Sequence, residues 1–211
     1  MSMYQKLAAM AVVMVVAMSP AVEAGKAKGK LEVDSMQATL LSQEEADGLV
    51  FMREEEKLAR DVYRVMYDQW GKPIFTNISD SEQNHMDAVL ERLNYYNIPD
   101  PVVDDSTGAF VNTGLSEAYL SLTEWGMESL KDALMVGGYI EELDILDLEE
   151  IIEHTHHADI VATYEELLRG SRNHLRAFVG TLESMGVVYE AQLMDQEDVD
   201  EIVDSPMERG S

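Results

Sequence analysis

In the segment 77–93 the apolar residues Ile78, Val89 and Leu93 recur at the spacing of one helix face. The gap between them on that face is filled by Glu82 and His85. A carboxylate and an imidazole one turn apart, aimed where leucines belong, are costly to bury unless something binds them. Three other segments repeat the pattern. Around Met52, Ala59, Val62 and Met66 the gap holds Glu55, with Glu54 and Glu56 expected to turn away toward solvent or toward Lys57 and Arg60. Around Leu130, Leu134, Gly137, Leu148 and Ile152 it holds Glu141 and Asp144, flanked by Glu142. Around Ile160, Tyr164, Leu167, Phe178 and Leu182 it holds Ser171 and His174. Stripes of this period mark amphipathic helices, and no period-two alternation competes with them. The chain is expected to be all-α.

Punctuation sets the expected boundaries. Ser42-Gln43-Glu44-Glu45 is a capping box, and the helix it opens should run to about 69, before Gly71-Lys72-Pro73. The second helix is expected from about 80 to 95, ahead of Pro99 and Pro101. A connection over 97–126, with a short helix at 116–124, leads to a third long helix over 127–154. The fourth is expected from Asp159, as N-cap, to Gly186, and an acidic helix at 195–204 closes the chain. Short links make two antiparallel hairpins. The single long connection between them far exceeds ordinary loop lengths. Four long helices with one long crossover match a ferritin-like four-helix bundle rather than a simple up-down bundle.

The N-terminus stands apart. Lys6, the apolar run 7–18 and small residues around Ala24 read as a secretory signal peptide over 1–24, cleaved after Ala24, with an uncleaved anchor as the alternative. The run is short for a membrane span. A polar linker over 25–39 would precede a bundle domain over 40–211, placing the mature protein in the periplasm or outside the cell. The chain of 211 residues contains no cysteine, which excludes thiolate metal sites, cysteine nucleophiles and iron–sulfur clusters. Its net charge of −26 argues against nucleic-acid and anionic-lipid partners and favours metal cations.

If the four interruptions lie at matching heights, carboxylates and imidazoles converge in a water-poor interior. Without thiolates, that donor set suits iron, manganese or zinc. Di-iron bundles draw one Glu from each of two helices and a Glu-x-x-His from each of the other two. Here Glu55 and Glu141 would be the single carboxylates and Glu82-x-x-His85 one complete motif. Ser171-x-x-His174 keeps the spacing but lacks the acid, for which Asp144 could compensate. A purely structural network of buried polar groups is the competing reading.

The strings MREEEKLARDVY (52–63), SEQNH (81–85), GGYIEELDILDL (137–148), RGSRNHLRAF (169–178) and SPMERG (205–210) resemble an exported ferritin-like family, domain of unknown function family 2202. The resemblance covers about 40–210. It implies a four-helix bundle with a non-haem metal centre held by Glu55, Glu82, His85, Glu141 and His174. The expected activity is oxidase, ferroxidase or peroxide-handling chemistry on mono- or dinuclear iron, or manganese, with dioxygen or peroxide as reactant. The alternative is a non-catalytic metal-binding or envelope interaction module. A homo-oligomer is compatible with either.

Lesser features carry plainer expectations. Gly137 and Gly138 could leave room for a ligand or serve close packing. His154, His156 and His157 could form a surface metal site, though a solvated turn is the simpler account. Tyr63 and Tyr164 could hydrogen-bond or relay an electron near the centre, though core packing with a satisfied hydroxyl is the simpler account. Arg60 and Asp61 could orient ligands or form a surface ion pair.

Overall fold

The computed structural model describes residues 41–210, and the expected signal peptide and linker lie outside them. The described residues form helices and no strand: α1 (Gln43–Trp70), α2 (Pro73–Tyr95), α3 (Thr113–Gly126), α4 (Leu130–His154), α5 (Ala158–Ser184) and α6 (Gln196–Asp204). None is long and apolar enough to cross a membrane.

The capping box forms as read. Ser42 Oγ accepts the Glu45 N–H at 3.1 Å, and Glu45 Oε2 accepts the Ser42 N–H at 2.9 Å. Gly71, at φ 62°, ends α1 in the left-handed conformation that glycine tolerates. Several starts differ from expectation, α3 beginning at Thr113 rather than 116. α2 begins at Pro73, not near Asp80, because a proline in the first turn needs no N–H partner and its φ is already helical. α4 begins after Ser129, whose Oγ accepts the Asp132 N–H at 3.1 Å. Asp159 does not cap α5; its carboxylate accepts from the Tyr96 hydroxyl and Arg92 instead.

α1 packs along α2 and α4 along α5, each pair joined by a short link and therefore antiparallel; α1 also meets α4, and α2 meets α5. A single core of Leu49, Met52, Val62, Phe75, Leu134, Leu148, Phe178 and their neighbours fills the space between them.

α1 is enclosed on more than one side. Its second face carries Arg53, Glu54, Lys57, Arg60 and Asp61, all buried. The expected surface pair Arg60–Asp61 is instead wholly enclosed, because the connection 96–112 folds across it. Asp61 receives Lys57 Nζ at 2.5 Å, Arg60 at 2.9 Å and the Gly108 N–H at 3.0 Å. Arg60 also reaches Asp105 and Gln83, both at 2.6 Å. Glu54, expected toward solvent, accepts the N–H groups of Val111 and Asn112. Arg53 pairs with Asp100 through Nε and Nη2, both at 3.1 Å, leaving only its Nη1 unpartnered; together these contacts pin the connection to α1.

Two further expectations resolve toward packing. A Cβ on Gly137 would lie 2.4 Å from the Phe178 ring, and one on Gly138 would lie 2.4 Å from the Tyr189 hydroxyl, so the two glycines admit aromatic rings. At the α4–α5 turn, Glu45 accepts the N–H groups of His156 and His157 and lies 2.8 Å from His157 Nδ1. Those contacts outweigh its burial and hold its pKa at about 2. The histidine cluster thus ties that turn to the start of α1.

Candidate metal centre

Glu82, on the inner face of α2, is shared by two groups of candidate ligands. One donor atom from each of Glu56, Glu82 and His85 lies within 4.8 Å of the others, and the same holds for Glu82, Glu141 and His174. Glu82 Oε2 is 2.7 Å from His85 Nδ1, and Glu82 Oε1 is 2.9 Å from His174 Nδ1. His174 Nδ1 is also 3.4 Å from Glu141 Oε2, and His85 Nδ1 is 3.2 Å from Glu56 Oε2. The two imidazoles stack, with centroids 5.5 Å apart. The three glutamates are fully enclosed, and the rings form the edge nearest solvent, at 12% and 11% side-chain exposure.

Distances alone would make this an ion-paired network, but the directions say otherwise. Both Glu82 oxygens, Glu141 Oε2, Glu56 Oε1 and His174 Nδ1 have no hydrogen-bond partner. The nitrogens approach the Glu82 oxygens at hydrogen-bonding distance without aligning on them. Buried polar atoms are nearly always satisfied, and several failures in one place need a cause. One pair, His85 Nδ1 and Glu56 Oε2, is aligned as a hydrogen bond; the remaining donor atoms, gathered as closely yet not directed at one another, suit a cation held between them. The residues present therefore fit a metal.

Outer contacts orient some of these groups. The Tyr63 hydroxyl donates to Glu141 Oε1 at 2.5 Å. His174 Nε2 lies 2.9 Å from Ser81 Oγ, a contact that fixes the ring with Nδ1 toward the glutamates.

The electrostatics carry the same imprint. Burial pushes Glu56 up to about 7, with His85 only partly offsetting it. Burial also raises Glu141 and Asp144, the latter pushed further up by the charges of Glu55, Glu56, Glu141 and Glu82. Glu82 goes the other way: despite burial, the two histidines hold it well below the ordinary carboxylate range. Burial lowers the histidines, but the surrounding carboxylates prevail, taking His174 to about 10 and His85 well above its usual value. A core needing this much proton rearrangement to hold its own charge is one a divalent cation would relieve.

Of the residues expected from sequence, Glu82, His85, Glu141 and His174 come together. Asp144 is buried beside them, with both oxygens unpartnered, and belongs to neither three-residue group. Glu55 is buried but lies against Asp147, outside both groups. Its neighbour Glu56, expected toward solvent, takes the α1 position. Glu55 and Glu56 sit on adjacent lines of the same α1 face, and the packing of α1 turns Glu56 toward His85 and Glu55 toward Asp147. Ser171 is buried, but its hydroxyl donates to the Leu167 carbonyl in its own helix, at 3.2 Å, rather than facing the centre. Glu142 serves the fold, accepting from Tyr189, Gln192, Leu193 and Met194. Ser81 had no sequence signal, since its partner His174 lies on another helix.

Fold and site together define an all-helical protein whose core gathers carboxylates and imidazoles into groups that could hold a metal ion. Residues 45–206 match the family described as "Uncharacterized protein domain (DUF2202)", and the chain belongs to that family. It is similar to the uncharacterized protein MJ0754 of Methanocaldococcus jannaschii, 51% identical over 178 residues that cover 84% of this chain and 96% of the relative. Among solved structures it is similar to that of hypothetical protein MJ0754 from Methanococcus jannaschii DSM 2661. That comparison has a TM-score of 0.78 at 52% identity and covers 80% of this chain and 96% of that one.

Proposed function

We propose that the chain is an exported ferritin-like metalloprotein whose four long helices hold two divalent transition-metal ions, iron or manganese, for reaction with dioxygen or peroxide. The observation that carries this reading is the pair of ligand groups sharing Glu82: Glu56, Glu82 and His85 for one ion, and Glu82, Glu141 and His174 for the other. Asp144, buried beside the two groups with both oxygens unpartnered, would supply the carboxylate that Ser171 lacks. One acid shared between two sites is the economy of a dinuclear centre, and oxygen and nitrogen donors without sulfur suit iron and manganese. Bound metal would supply the electron transfer to the oxidant.

The chain's own residues orient and exclude. Tyr63 fixes Glu141, Ser81 fixes the His174 ring, and the Phe178 ring packs on Tyr63 and over Gly137. The three glutamates are fully enclosed, and only the edges of the His85 and His174 rings reach solvent. A closed centre favours a small oxidant or the metal ion itself as substrate over an organic molecule.

A second reading, a redox-inert metal-binding module, draws support from Ser171, whose hydroxyl turns away from the centre. One experiment separates the two. The protein is purified aerobically, metal per chain is measured, and ferrous iron is then added while oxygen is followed. Two ions per chain with oxygen or peroxide consumption support the redox protein. One or two tightly held ions without turnover support the binder. No bound metal overturns both.

A further inference from the structure

The two ligand groups share Glu82 but differ in what stands behind them. In the Glu82–Glu141–His174 group, the Tyr63 hydroxyl holds Glu141 at 2.5 Å and Ser81 Oγ holds His174 Nε2 at 2.9 Å. In the Glu56–Glu82–His85 group, Glu56 Oε1 has no partner, and the bond from Glu56 Oε2 goes to the other ligand, His85. The outer edge of the His85 ring faces Gly170 of α5. A Cβ there would lie 2.5 Å from His85 Nε2 and 2.6 Å from Cε1. Solvent exposure does not separate the rings, at 12% and 11%; the difference lies in the support behind them.

Resting on the dinuclear reading, we infer that the two positions are unequal: the Tyr63- and Ser81-braced group holds a resident ion, and the Glu56–Glu82–His85 group, backed by Gly170, is the exchangeable position. Outer partners that orient ligands typically change metal affinity 10–100-fold, which sets the expected gap. Gly170 is the positioning residue of the second group. Ordinary contact begins near 3.4 Å, so a methyl at 170 would push the ring by about 1 Å, beyond the roughly 0.5 Å that a preorganised site tolerates. The exchangeable position is where an incoming ion would be taken up as substrate, beside an ion that stays.

The test is calorimetric titration of the metal-free protein with Mn²⁺, with far-UV circular dichroism confirming the fold of each variant. The wild type should bind in two steps at least tenfold apart. Gly170→Ala should lose the weak step and keep the tight one. Gly180→Ala, whose Cβ meets nothing within 4 Å, should match the wild type. Ser81→Ala and Tyr63→Phe should weaken the tight step and narrow the gap. If Gly170→Ala does not fold, the two bracing variants decide alone. Equal steps in the wild type, loss of the tight step in Gly170→Ala, or a change confined to the weak step in Ser81→Ala overturns the inference. A wild type that takes up no Mn²⁺ overturns the dinuclear reading as well, whereas two equal steps overturn only the inequality.

Discussion

Glu82→Gln is the most searching single substitution, because one oxygen of this side chain serves each ligand group. The change keeps volume and shape and removes the charge both groups need. A ligand that binds only the folded state adds RT ln(1 + [L]/Kd), about 2.7 kcal/mol at a hundredfold excess over Kd. Two ions at that excess would add about 5 kcal/mol. For a domain of this size, each kcal/mol raises Tm by roughly 2–4 °C. The loaded wild type should therefore melt about 10–20 °C above the metal-free form. Glu82→Gln should lose nearly all of that increment, with metal content falling toward zero by elemental analysis. In the metal-free protein the variant also leaves His85 and His174 without their common counter-charge, so both pKa values should fall, visible in the imidazole NMR titration. A variant that retained two ions and the full thermal increment would refute the shared-carboxylate geometry. A wild type whose melting ignores Mn²⁺ and Fe²⁺ would refute the reasoning altogether.

Asp144→Asn should act with opposite signs on two measurements. Removing a buried, unpartnered carboxyl that must take up a proton on folding should stabilise the metal-free fold by about 1–3 kcal/mol in urea unfolding at neutral pH, while Mn²⁺ affinity falls. The metal-free protein should lose stability as pH rises: Glu56 is raised from 4.5 to about 7 and His174 from 6.5 to about 10. A raised folded-state pKa contributes stability that is complete below the unfolded value and lost through the folded one. The loss should thus run from about pH 4.5 to 7 for Glu56 and from about 6.5 to 10 for His174. Metal binding should release protons and tighten as pH increases, measurable by titration in buffers of different ionisation enthalpy. Asp61→Ala leaves Lys57 and Arg60 buried without their shared counter-ion. It should cost about 3–5 kcal/mol in urea unfolding and expose the connection 96–112 to proteolysis.

Several features were legible from local chemistry alone. Apolar periodicity determined that the chain is helical, and the capping box and Gly71 bracketed α1 because caps satisfy orphan backbone groups within a few residues. The polar interruptions at Glu82, His85, Glu141 and His174 marked where the helices would be neither apolar nor exposed. Local rules also misled where two of them competed. Pro73 was read as ending a region although proline is equally suited to opening one, and Glu55 and Glu56 occupy the same gap on adjacent lines of α1. Only packing could choose between those two. The rotation of α1 about its axis is set by the combined burial against α2, α4 and the folded connection, and that rotation turns Glu56 toward His85 and Glu55 toward Asp147. The enclosure of Arg60 and Asp61 was equally invisible, since it depends on a segment more than thirty residues away folding back across them. Periodicity assigns a residue to a face; which neighbour covers that face, and which lone pairs then meet without partners, is decided by contacts between helices distant in the chain.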